Sequence, residues 1–105
     1  MVDYYLRDPK RVYKVPQAKR PFGIDWADDL GDDTITGSTW TVITAGITIS
    51  SNPAPSFTAS TTTLYVEGGT ITSGEEYTDY DIANDVTLAS GGNDRRILTV
   101  RVKNK

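Results

Sequence analysis

From Thr39 onward, bulky apolar side chains keep falling on every second position. In Thr39-Trp40-Thr41-Val42 the apolar residues fall on one face of an extended strand and the threonines on the other. Ile47-Thr48-Ile49-Ser50 repeats the pattern. Thr61 to Glu67 shows it most clearly, with Thr62, Leu64 and Val66 facing one way and Thr61, Thr63, Tyr65 and Glu67 the other. Glu76 to Leu88 places Tyr80, Ile82, Val86 and Leu88 inward and Asp79, Asp81, Asp85 and Thr87 outward. Arg95 to Lys103 places Leu98, Val100 and Val102 inward. Phe57 is expected to return to the core, and Ile71 to form a short connecting strand. Ala45-Gly46, residues 51–56, Gly68-Gly69, Ser73-Gly74 and residues 89–94 carry turn chemistry.

Six or seven short strands separated by Gly, Pro and Asn turns fold as an antiparallel β-sandwich. All fifteen threonines follow residue 33, which suits a pleated, half-buried surface. The expected core is Trp40, Val42, Ile47, Ile49, Phe57, Leu64, Val66, Tyr80, Ile82, Val86, Leu88, Leu98, Val100 and Val102. Asn84 falls among these inward positions. There it must sit in a bulge or hydrogen-bond the neighbouring backbone.

Ahead of the strands, Asp25-Trp26-Ala27-Asp28-Asp29-Leu30-Gly31 reads as one helical turn. Asp25 is placed to cap the first backbone N–H groups, Asp28 and Asp29 suit the positive end of the turn, and Gly31 ends it. Trp26 and Trp40 are the only tryptophans and the two candidate core anchors, with Trp40 ranked first.

The 105 residues allow one domain. With neither cysteine nor histidine, there is no disulfide, no thiolate metal site and no imidazole base. No apolar run is long enough to span a membrane, and the first residues lack a secretory pattern. The expectation is a protein made and kept in the cytoplasm, or assembled from there into something larger.

Charge is unevenly spread. Residues 1–22 carry a net +4, residues 23–85 carry eleven carboxylates and no Lys or Arg, and residues 86–105 carry a net +4. Such an acidic middle between basic ends suits copies that meet head to tail. Pro9, Pro16 and Pro21 punctuate residues 1–22, whose apolar residues follow neither period. The segment is therefore expected to be an extended basic arm preceding a sandwich domain at 23–105. Its Tyr4, Tyr5, Arg7, Lys10, Arg11, Tyr13, Lys14, Lys19 and Arg20 are the candidate protein-interface residues. The same mixture could stack on single-stranded nucleic acid, but the acidic body would repel phosphates.

No catalytic constellation is visible. Asp28, Asp29, Asp32 and Asp33 lack calcium-loop spacing. Glu75, Glu76, Asp79 and Asp81 could supply a carboxylate pair, yet alternation sets Asp79 and Asp81 on one outward, solvated face. A carbohydrate-binding sandwich would use Tyr65, Tyr77 and Tyr80, but Tyr80 faces the core. No catalytic residue, cofactor or metal is implied.

Asp25-Trp26, Leu30, Asp33-Thr34-Ile35, Ser38, Trp40-x-Val42 and Gly46-Ile47-Thr48-Ile49-Ser50 together resemble a family of small tailed-bacteriophage virion proteins. The likeness runs on through Gly68-Gly69 to Arg95-Arg96-Ile97-Leu98-Thr99-Val100-Arg101-Val102, and spans roughly residues 23–103. These are fibre–tail adaptor or neck proteins. The resemblance implies an immunoglobulin-like sandwich, a place in the virion and virion proteins (neck, tail, fibre or capsid subunits) as partners. With the head-to-tail charge pattern, the expectation is a homo-oligomer within the particle. Capsid decoration is the alternative role.

Overall fold

A computed structural model describes residues 5–6 and 10–104, with only the backbone described for Tyr5, Leu6 and Lys10. Two sheets pack face to face. One runs β1 (Tyr5–Leu6), β3 (Arg20–Asp25), β7 (Thr61–Gly68) and β5 (Ile47–Ile49), with β6 (Ser56–Phe57) further along the same side of β7. The other runs β2 (Lys10–Lys14), β9 (Asn93–Lys103), β8 (Tyr77–Leu88) and β4 (Ile35–Val42). The chain is an all-β sandwich, as expected.

The pairing is not wholly antiparallel. β1 runs parallel to β3, and β2 runs parallel to β9 in the register Lys10↔Leu98 to Lys14↔Val102. Both extra strands come from the stretch read as a free arm. Within it β2 and β3 are strands joined through a turn at Pro16-Gln17, where Ala18 N donates to Val15 O at 3.2 Å; among the described residues β2 lies at a sheet edge, and Phe22 and Ile24 are buried on β3. Among the described residues Pro21 pairs on one side only, with Tyr65 of β7, a placement in which a proline is tolerated. The edge strand β2 also buries Val12 in the core.

The alternation of β7, β8 and β9 is found as read: Leu64, Val66, Ile82, Val86, Leu98, Val100 and Val102 are buried. Val12, Phe22, Ile24, Trp26 and Ile35 join them. Val42, Ile49 and Leu88 are only partly buried. Phe57 is 43% exposed rather than in the core, because β6 is a two-residue edge strand. Ile71 belongs to no strand; it packs against the core from the loop between β7 and β8. Tyr80 holds that loop: its hydroxyl donates to Thr70 O at 2.9 Å and accepts from Thr70 N at 3.0 Å. Gly69 makes this close approach possible. It has φ +90°, and a Cβ there would lie 2.8 Å from Val102 Cγ2.

The helical turn, α1, spans Ala27–Leu30, with Trp26 at the cap position and Asp25 Oδ1 accepting from Ala27 N at 3.0 Å. Gly31, at φ +60°, ends it. The turn seats Trp26 between the sheets with no exposed surface, while Trp40 remains 9% exposed. Trp26 Nε1 donates to Thr62 Oγ1 and Asn84 Oδ1, both at 3.2 Å. Thr62 Oγ1 donates to Asn84 Oδ1 at 2.6 Å, and Asn84 Nδ2 donates to Ser38 Oγ at 3.0 Å. Asn84 thus faces inward without a bulge, tying β8 to β4 and to the opposite sheet. Trp40 Nε1 is buried without a hydrogen-bond partner, so the ranking of the two tryptophans reverses.

Candidate protein-docking surface

The molecule measures 47 × 25 × 22 Å, and one of its ends is strongly acidic. At one end lie the close of β3, α1, the start of β4 and the β8–β9 turn. These segments, 25–36 and 85–96, hold seven aspartates against Arg95 and Arg96. Arg96 pairs with Asp29 and lies over the Trp26 ring at 5.2 Å, and Arg95 pairs with Asp85 at 2.7 Å. The Asp33 carboxylate accepts from Ser90 Oγ at 2.5 Å and from Thr34 N at 3.0 Å. These bonds, the Ser90 hydroxyl first, hold its pKa below the ordinary carboxylate value. Asp28 and Asp29 lie in the first turn of α1 as read, whereas the cap position read for Asp25 is held by Trp26.

At the other end β2, the loop 15–19, the start of β3 and the end of β9 converge. Tyr13, Lys14, Val15, Ala18, Arg20, Lys103 and Asn104 line an open groove of about 630 Å³. Period-2 alternation along β2 directs Arg11 and Tyr13 outward, where both are exposed. Lys103 Nζ lies 5.9 Å from the centre of the Tyr13 ring. Lys14 points inward and is only 4% exposed. Its Nζ donates to Val15 O at 2.8 Å and Pro16 O at 3.2 Å. Burial lowers its pKa, and the Glu67 carboxylate partly opposes this.

Beside the groove, Arg101 makes two bonds to Asp79, at 2.8 and 3.0 Å, and stacks on Tyr77 with its guanidinium carbon 3.6 Å from the ring centre. The Arg101 hydrogen bonds, followed by the charges of Arg101 and Arg11, depress the Asp79 pKa against the opposing effect of burial. Asp79 and Asp81 are therefore half-buried and bonded, Asp81 to Thr99 Oγ1 at 2.7 Å, rather than simply solvated.

Of the interface residues read from sequence, the fold gathers Tyr13, Lys14 and Arg20 at the groove and Arg11 just along β2. Lys19 lies apart, its Nζ donating to Asn52 O at 3.0 Å. Tyr4 and Arg7 lie outside the described residues, as do the side chains of Tyr5 and Lys10. Sequence reasoning missed Lys103 and Asn104, whose basic, polar character at the far end of the chain gave no sign that β9 runs beside β2. Tyr65, Tyr77 and Tyr80 form no shared platform. Tyr80 is buried, Tyr77 lies beneath Arg101, and Tyr65 is on the outer face of the opposite sheet.

The family model Gp77, described as podophage GP4 fiber-tail adaptor protein gp77, matches residues 14–101. The chain belongs to this family. It is a structural adaptor of the bacteriophage particle, and its place is in the virion. The match begins at Lys14, ahead of the Gly23 at which the resemblance read from sequence starts, and so takes in all of β3. Comparison with curated proteins finds no match.

Proposed function

We propose that this adaptor, acting where fibre meets tail, docks on neighbouring virion proteins through its N-terminal segment, residues 1–22. Several copies share a particle. The observation that supports the reading is the gathering of Tyr13, Arg20 and Lys103 around one groove, with Arg11 two residues back along β2, in a molecule whose opposite end is acidic. Cations and a half-exposed tyrosine offer contact area and steering toward acidic surfaces. The same polarity favours copies meeting head to tail.

A phage lacking the protein, complemented with the Arg11→Glu, Tyr13→Ala variant, tests this. Both side chains are exposed, so the variant should fold and melt like the wild type yet be missing from purified particles. Incorporation at the wild-type level would overturn the docking role. Point variants serve better than truncation here, since removing residues 1–20 would also remove β2 and the first residue of β3.

A further inference from the structure

We infer that β2 is the acceptor edge for an acidic, extended segment of another protein, which adds to the sheet as a further strand. The inference rests on the docking role proposed above and names the partner's chemistry. Within its sheet β2 pairs with β9 alone, so its second edge meets no strand among the described residues. That edge offers backbone donors and acceptors for strand addition. Along it alternate Arg11 and Tyr13 outward and Val12 and Lys14 inward. The groove lined by Tyr13, Lys14, Arg20 and Lys103 opens where the edge ends.

Cations on an edge, one of them pointing inward, ordinarily keep unwanted strands away. They reject strands selectively, however. A second copy of β2 added parallel and in register would set Arg11 and Lys14 against their like, which is unfavourable. The chain's other edge strands, β1, β4, β5 and β6, contain no carboxylate that could match them. The complementary strand therefore belongs to a different protein. It carries Asp or Glu on alternate positions beside Arg11 and over the groove, with small apolar residues between them beside Val12. Carboxylates already lie near this end: Glu67, Asp79 and, in the turn before β8, Glu75 and Glu76. Asp79 is engaged by Arg101 and also feels the Arg11 charge, and Glu67 acts on the inward Lys14, while Arg20 and Lys103 line the groove that the partner would enter.

The probe is a capped peptide of alternating Glu and Val, set against its Lys–Val counterpart and an N-methylated Glu–Val form. Calorimetry reads affinity, and amide hydrogen exchange reads the site. Expected is saturable binding of the Glu–Val peptide alone, with new protection at Arg11–Lys14 and none at β4. Affinity should fall about tenfold or more in Arg11→Glu, Arg20→Glu, and also in wild type as salt rises, since screening mutes such contacts. Equal binding of the Lys–Val or N-methylated peptide, protection at β4 or β5 instead, or absence of saturable binding would each overturn strand addition. If the docking variant is excluded from particles while the peptide fails to bind, the docking role stands and strand addition falls. If the peptide binds at β2 while that variant still assembles, the edge accepts acidic strands and the docking role falls.

Discussion

The two halves of the sandwich interior are built from different materials. Toward the acidic end, the centre is polar: Trp26 Nε1, Thr62, Asn84 and Ser38 form one hydrogen-bonded chain across both sheets. Toward the basic end, Leu64, Val66, Ile82, Leu98, Val100 and Val102 make a hydrocarbon layer. Hydrocarbon is indifferent to which neighbour it meets. Sliding β8 by two residues against β4 would keep apolar side chains inward. The same slide would put Ile82 or Val86 where Asn84 answers Trp26, leaving buried donors unpaired. The dry half adds stability, and the polar half selects the register.

The largest test concerns the tryptophans. Trp26→Ala should cost about 3–5 kcal/mol, as expected for removing a fully buried indole. Trp40→Ala should cost less, because Trp40 keeps some exposure and its Nε1 already lacks a partner. Denaturant midpoints of the two variants decide it. Equal losses would mean that the hydrogen bonds of Trp26 contribute nothing beyond its packing.

A smaller effect sharpens the contrast. Asn84→Ala should cost about 1–3 kcal/mol, the cost of stranding a buried donor or acceptor. Combined with Trp26→Phe it should be markedly non-additive, since both changes cut one network. Val102→Ala, in the dry half, should add to Trp26→Phe within a few tenths of a kcal/mol. Additivity in both double-mutant cycles would remove the distinction between the halves.

The contrast also explains what could be read from sequence. The hydrocarbon layer announces itself, because Leu64 and Val66, or Leu98, Val100 and Val102, repeat every second residue. Asn84 is legible as an inward polar residue for the same reason. Its partners are not: Trp26 lies 58 positions away and pairs with it only through the fold. Phe22-Gly23-Ile24 also alternates, yet Pro21 and the preceding cations read as an arm, since proline's conflict with a strand depends on neighbours that sequence does not show. The groove was legible as composition at Tyr13, Lys14 and Arg20. Lys103 became part of it only through the parallel pairing of β2 with β9.

The smallest effect separates the surface charges at the two ends. Asp33 and Asp79 both have pKa values held below the ordinary 3.8. Depressed carboxylates stabilise the fold above their unfolded pKa, and that contribution is lost as pH falls below 3.8 toward the folded values. Wild type should therefore lose stability in that acid window. The two residues should differ in how they carry it. Asp33 is held by the uncharged Ser90 hydroxyl and by backbone N–H groups, to which an asparagine oxygen can still accept. Asp79 is held by both nitrogens of the Arg101 fork, an arrangement only a carboxylate completes. Asp79→Asn should thus lower the midpoint at neutral pH and flatten the acid limb, and Asp33→Asn should do both less. Denaturant midpoints measured from neutral pH to below 3.8 provide the comparison. A steeper acid limb in Asp79→Asn than in wild type would show that Asp79 is not held by Arg101 in solution. The charge order at the basic end would then have to come from Arg11 and Lys103 alone.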